Sequence, residues 1–343
     1  MRRLLFVLAI AVSSIASADD FHWLVPLNDL GTAPYRWGYY GGLYEDGSNV
    51  MAAEHLALGL AAASRIQPLD TDGRPSADGK IVFLAVGFGE TARIMQSFLT
   101  VAANDVRVEH GKLVMLNAAR DGADYRAWAE WPDATFSRYN AASVDTLAPA
   151  GVTPQQVQVA WVQSVNERSF LPLGVASADA YRLKTFLSET VRELKKQYPN
   201  LRIAYLSSRV YGGYSAINLS PEPFAYENGY SHRWVITTQM EQERMAVPEW
   251  HWDTRTGLLD DTRRAVAPWL AWGPYLWANG AMPREDGLAW LRGDFEADGE
   301  TLSPSGAVKG AKLLFDFLLH EPTAKSWFLS GVELPGRQRA TRH

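Results

Sequence analysis

The sequence predicts an α/β fold, with a mainly parallel sheet covered by helices on both faces. Three observations carry this expectation: short apolar runs without polar alternation, helical repeats between them, and Gly- or Asn-containing turns where the runs end. Strands buried on both faces lose the alternation that a half-exposed strand shows, and strand–helix–strand order closes parallel pairs.

The elements follow in chain order. Met1-Arg2-Arg3, the apolar stretch Leu4–Val12 and the small residues Ala16-Ser17-Ala18 have the form of a cleavable secretory signal over residues 1–18. That stretch is shorter than the roughly 18 apolar residues a membrane span needs, and no other segment reaches that length. The expectation is an exported chain, secreted or periplasmic, with no membrane partner after cleavage. A polar Gly/Pro loop, "DTDGRPSADG" (70–79), leads into the first strand, "KIVFLAV" (80–86). "KLVMLN" (112–117), "VQVAWV" (157–162) and "RIAYLS" (202–207) read as three more. A helix is expected over 178–198, where Leu183, Phe186, Leu187, Val191, Leu194 and Tyr198 recur at three- and four-residue spacing before Pro199-Asn200 stops it. A second is expected over 305–319, with Ser303 as N-cap and Pro304 at its first position.

Composition excludes several classes of function. The 33 basic residues fall short of the 38 acidic ones, for a formal charge of −5, and no basic cluster exists beyond Lys195-Lys196, so a nucleic-acid partner is not expected. The chain has no cysteine, which removes disulfides, thiolate chemistry and a lipid-anchoring Cys. No His/Asp/Glu spacing matches a metal-ligand pattern, so neither a metal nor another cofactor is expected. Gly87-Phe88-Gly89-Glu90-Thr91-Ala92 fits a dinucleotide fingerprint literally, but the second strand ends in Asn117 where an acidic residue should meet the ribose, and Asp121 lies further into the loop.

In open α/β sheets ligands bind beyond the carboxyl ends of the strands, which selects the loops 87–91, 117–122, 163–168 and 207–214. "GFGE" (87–90), "NAARDG" (117–122), Asn166, "LSSRVYGGYSAINLSPEPFAYENGYSHRWVI" (206–236) and "DFEADGETLSPSG" (294–306) together resemble the SGNH-type hydrolases, and more narrowly a secreted bacterial family of that type. The resemblance extends from "LVPLNDLGTAPYRWGYYGGLYEDGSN" (24–49) through "VAPWLAWGPYLWANG" (266–280) to "EPTAKSWF" (321–328). It implies one domain over 19–343, a three-layer α/β/α sandwich of flavodoxin-like form, with an ester-cleaving site at the strand ends.

The departures from that family decide its chemistry. Relatives carry Gly-Met-Ser-Asn where this chain has Gly87-Phe88-Gly89-Glu90, so Gly89 stands at the nucleophile's position. They carry Asp-Gly-Thr-His-Pro-Ser where it has Asp298–Ser303, so Thr301 stands at the base's position. Asp298 and Asn166 match the family, and Gly122 falls where a glycine would offer its amide to an oxyanion. Acyl transfer by this route needs an attacking hydroxyl, an imidazole and an orienting carboxylate. Glycine supplies no nucleophile and threonine no base, so even the Thr91 hydroxyl would stay an alcohol at neutral pH.

Two substitutes remain open. His110, His232, His251 or His320 could serve as base, although none sits in a turn ending a strand. Glu90 and Glu300, beside the two altered positions, could join Asp298 in a carboxylate cluster of the kind glycosidases use. The plainer reading has Glu90 favouring the positive helix N-terminus and Glu300 facing solvent. Trp250, Trp252, Trp269, Trp272, Tyr275, Trp277 and Trp290 could stack on sugar rings or fill a core. The resulting expectation is a degenerate esterase homologue that binds a small-molecule or carbohydrate ligand, plain or acylated. Its alternative is a working ester hydrolase with an unusual nucleophile and base.

Overall fold

The computed structural model describes residues 21–122, 128–129, 141–166, 168–216, 219–244 and 253–331. The expected signal segment 1–18, together with Trp250, His251 and Trp252, lies outside them.

Five strands form one sheet: β1 Ile81–Val86, β2 Leu113–Asn117, β3 Val157–Gln163, β4 Ile203–Ser207 and β5 Trp269–Trp272. Their order is β2-β1-β3-β4-β5 and every pair is parallel. The four strands read from sequence stand where expected. β5 went unread because it is four residues long and sits inside a tryptophan-rich stretch that gave no separate signal. Strands β1, β3, β4 and β5 are buried along their whole length, which is why they show no polar alternation.

Five longer helices flank the sheet: α1 Ala53–Ser64, α2 Gly89–Ala103, α3 Asp179–Gln197, α4 Phe224–Glu243 and α5 Pro304–His320. α2 packs on α5 and α3 packs on α4. Right-handed crossovers place the β1–β2 helix on one face and the helices after β3 and β4 on the other, giving the three-layer α/β/α sandwich. α3 buries Leu183, Leu187, Val191 and Leu194, the stripe its spacing announced. α5 starts as its sequence dictates, with Ser303 Oγ accepting from the Gly306 amide at 3.3 Å.

α4 is the element that periodicity could not reveal, because its buried face is largely polar. Glu227, Asn228, Ser231, His232, Gln239 and Gln242 are all buried. Five of the six make bonds to distant backbone: Asn228 donates to Ser164 O at 3.0 Å, Ser231 to Ala180 O at 2.8 Å, and Gln239 to Leu259 O and Pro268 O at 2.8 and 2.9 Å. Leu173 N donates to Glu227 at 2.8 Å, and Gln242 exchanges bonds with Gly257 O and Leu259 N. Such pairing removes the cost of burying polar groups while erasing the apolar stripe.

The tryptophans resolve one sequence alternative. Trp269, Trp272, Trp277, Trp290 and Tyr275 are all core residues with at most 5% of their surface exposed. None of these five is free to stack on a sugar, so of the two alternatives core packing holds for them. Trp269 lies so close to α1 that a Cβ on Gly59 would come within 2.3 Å of its ring.

β1 leaves the sheet through Gly87. A Cβ there would stand 2.8 Å from the backbone oxygen of Gln163 and 2.3 Å from Thr91 Oγ1, so the glycine lets the turn hug β3. Gly87→Ala should therefore lose about 1–3 kcal/mol of stability through overpacking against backbone that cannot yield. Urea denaturation checks this, and an unchanged midpoint would show that the turn has room to relax.

Candidate functional site

The carboxyl ends of the strands converge on one cavity of about 150 Å³. The turn after β1 contributes Phe88, Gly89, Glu90 and Arg93, and the loop after β2 contributes Asp121 and Gly122. Val165 follows β3, Leu219 follows β4, and Glu300, Thr301 and Leu302 come from the turn ahead of α5. It sits beside β1, where the strand order reverses between β2 and β3, the usual ligand position in such sheets.

Positions 89 and 301, which are 212 residues apart in sequence, thus line the same cavity with Gly122 and Glu90. Asp298 stands directly behind Thr301. Its Oδ1 accepts the amides of Glu300 and Thr301, both at 2.9 Å, and its Oδ2 accepts the Thr301 hydroxyl at 2.7 Å. Burial alone would raise the Asp298 carboxyl, but those amides, that hydroxyl and Arg292 together hold it below its usual range. The turn keeps its shape because Gly299, at φ +68°, passes so near Tyr214 that no Cβ would fit.

Asn166 is placed elsewhere. It is buried, and it lines a neighbouring cavity of about 10 Å³ with Ser169, Glu227 and Asn228, room for about one water. Its Nδ2 has no partner there. Asn166 and Gly122 thus line different, neighbouring cavities.

The helix that starts at Gly89 meets the Asp121 side chain. A Cβ built on Gly89 would fall 2.2 Å from Asp121 Oδ1, so this carboxylate fills the volume that a side chain at position 89 would take. Asp121 is exposed, and no hydrogen bond or ion pair reaches it among the described residues. Sequence reasoning passed over it, weighing it only as a ribose ligand.

Glu90 and Glu300 depart from the plain surface reading. Both are buried, at 7% and 8% exposure, so the expectation that Glu300 faces solvent is corrected. The cause is Arg209, fully buried in the loop after β4. Its Nη2 donates to Glu300 Oε1 at 2.6 Å, and its Nη1 donates to the carbonyls of Leu219 and, at 3.1 Å, Ser220. Glu90 Oε1 accepts from Gln163 Nε2 at 2.9 Å and from the Val210 amide at 3.2 Å. The second oxygen of each carboxyl, Glu90 Oε2 and Glu300 Oε2, is buried without a partner. Burial drives the Glu90 pKa up to about 7 and the Glu300 charge adds to this, against the pull of Arg209, Gln163 and the Val210 amide. Glu222 braces the same region by accepting from Gly212 N, Tyr226 N and Trp277 Nε1.

None of the described histidines reaches the cavity. His232 is wholly buried in α4, donates Nδ1 to Asn228 O at 2.9 Å and stacks on Trp272; burial pushes its pKa down to about 4 despite that bond. His110 bonds Asp105 O through Nε2, and His320 lies at the far end of α5. Thr91 is buried, its Oγ1 committed to the Phe88 amide at 3.2 Å. Among the described residues no group of three or more His, Cys, Asp or Glu is arranged to hold a metal ion.

No protein-family model and no curated protein matches this sequence. Among solved structures, a chain from Bacteroides fragilis NCTC 9343 described as a "putative acylhydrolase" aligns over 81% of this chain and 100% of its own, at 7% identity and a TM-score of 0.38. At that distance the likeness carries no argument about chemistry.

Glu90 makes stability depend on pH in a defined direction. Its folded pKa of about 7 lies above the ordinary 4.5, so the folded state holds a proton that the unfolded state has released between those values. Its contribution is complete below about pH 4.5 and is lost as pH rises through 7. Relative to Glu90→Gln, the wild type should lose of order 3 kcal/mol across that window and nothing further above it. Paired urea titrations at several pH values measure the difference, and a flat one would remove Glu90 as the titrating group.

Proposed function

We propose that this chain is an exported protein of SGNH-hydrolase type whose esterase machinery has been lost, and that it binds a small-molecule or carbohydrate ligand in the cleft between Gly89 and Thr301. The observation that carries this reading is that Gly89 and Thr301, which stand where the resemblance puts the nucleophile and the base, line one cavity. Where acyl transfer needs a hydroxyl, there is Gly89 with the Asp121 carboxylate against it; where it needs an imidazole, there is Thr301 bonded to Asp298. Among the described residues the only side-chain hydroxyl in the lining belongs to Thr301, which donates its proton to a carboxylate and has no imidazole beside it.

The cavity that remains is suited to a ligand of modest size. Its volume of about 150 Å³ has room for several waters or a small ligand, and Phe88, Val165, Leu219 and Leu302 give it apolar wall between the charged groups. The resemblance to SGNH hydrolases supplies the expectation of sugar or acyl ligands, and the signal-like segment at residues 1–18 supplies that of export.

The test is reactivity. Purified protein should show neither fluorophosphonate labelling nor turnover of small acetyl esters above a heat-denatured control; stoichiometric labelling would replace this reading with that of a working hydrolase. The lost parts can also be supplied. Gly89→Ser with Thr301→His should raise ester turnover once the exposed Asp121 side chain swings aside, and adding Asp121→Ala, which removes that competitor, should raise it at least about 10²-fold over wild type. A folded triple variant without activity would show that the cleft no longer fits an ester.

A further inference from the structure

We propose that His55 and Glu243 form a proton-dependent latch, which holds α1 over the free edge of the sheet while the pair keeps an extra proton and releases it once that proton leaves.

β5 is last in the strand order, so the backbone on its outer side has no strand to pair with. Such edges are normally covered or blocked. Here two side chains take the place of the missing strand. Gln239 Oε1 accepts the Leu270 amide at 2.7 Å and its Nε2 donates to Pro268 O at 2.9 Å, the bonds a neighbouring peptide would make. His55 Nε2 lies 2.8 Å from Leu270 O, and its ring stacks on Trp269 with centroids 4.9 Å apart. Trp269 Nε1 donates in return to His55 O at 3.0 Å. His55 therefore ties α1 to β5.

The hydrogens in this tie can be counted. Leu270 O only accepts, so Nε2 must carry a hydrogen. Nδ1 lies 2.6 Å from Glu243 Oε2, at the end of α4, and a bond there needs a second proton on one atom or the other. A ring without it would set a lone pair against a carboxylate. The two side chains are only 2% and 6% exposed, so water does not supply a replacement donor. Losing the proton leaves a buried acceptor unmet, and parting the pair relieves that cost.

Few other charges bear on the pair among the described residues. Asp261, on the loop before β5, lies near both Glu243 and His55; burial first and Glu243 next drive its carboxyl up to about 7. Lys195 of α3 and Asp260 lie near Asp261 in turn. Arg244, next to Glu243, is bonded to Glu45, and the exposed Glu54 of α1 lies near that guanidinium.

The experiment follows urea denaturation of the wild-type pair and of Glu243→Gln, both in protein carrying Asp261→Asn, so that the neighbouring carboxyl does not titrate. Glutamine can donate to Nδ1, which satisfies a neutral ring and closes the latch without the extra proton. The folded wild-type pair then holds one proton more than the folded variant. The ratio of their folding constants should fall about tenfold per pH unit between about pH 5.5 and 7. Adding His55→Gln to both should make the ratio constant. Amide exchange, corrected for its intrinsic pH dependence, should show residues 53–64 at least about tenfold less protected at about pH 9 than at about pH 6 with the wild-type pair, and equally protected in Glu243→Gln. A ratio that does not change with pH, a pH dependence that survives His55→Gln, or equal protection at both pH values with the wild-type pair would each overturn the inference. If His55→Gln does not fold, the Glu243→Gln comparison and the exchange measurement decide the matter without it.

Discussion

The site depends on burying a single guanidinium. Arg209 has no exposed surface, and its charge is met by Glu300 Oε1 and by the carbonyls of Leu219 and Ser220. Removing one partner of such a pair typically costs about 3–5 kcal/mol, because the other charge is left stranded. What the pair achieves is placement. It ties the loop after β4 to the turn before α5, two segments about 90 residues apart, and so closes one wall of the cavity. Glu90 then adds a third point of attachment, from the first turn of α2 to the Val210 amide and to Gln163 at the end of β3. Three strand ends and the turn before α5 are thereby tied together by buried polar groups.

Around that anchor, the turn at 298–301 keeps a hydrogen-bond pattern suited to orienting a side chain at 301. The carboxylate accepts two amides and one side-chain donor, the arrangement that would hold an imidazole N–H if one were present. With threonine in that place, the donor is satisfied locally and nothing basic projects into the cavity. The same bonds that would raise the basicity of a histidine here serve only to fix a loop.

How much of this was legible in the sequence follows from where the partners lie. Strands β1 to β4 and helices α3 and α5 announce themselves through runs and repeats that are local in the chain. α4 does not, because its buried Asn228, Ser231 and Gln239 answer carbonyls at 164, 180 and 259, which no local pattern encodes. Glu300 reads as a surface residue beside a glycine turn until Arg209 is placed against it. Asn166 matches a motif by position yet faces a different cavity, since a motif records the order of residues and not the direction of a side chain. The tryptophans near the C-terminal half were ambiguous for a related reason: stacking platforms and core fillers share a composition and differ only in burial. Gly89 and Thr301 are legible as positions without a nucleophile or a base, because that is visible without knowing their surroundings.

Gly89 and Asp121 are linked sterically. A Cβ at that position and the Asp121 carboxylate compete for one volume, with 2.2 Å between them, so a serine at 89 and an aspartate lying where Asp121 lies are mutually exclusive. The lack of a side chain at 89 leaves room for the carboxylate, which lies at the N-terminal end of α2, where the helix dipole favours a negative group. An attacking hydroxyl needs a neighbouring base and a withheld negative field, since the tetrahedral intermediate it forms is itself an oxyanion. Asp121 and the half-compensated Glu90 supply the opposite field.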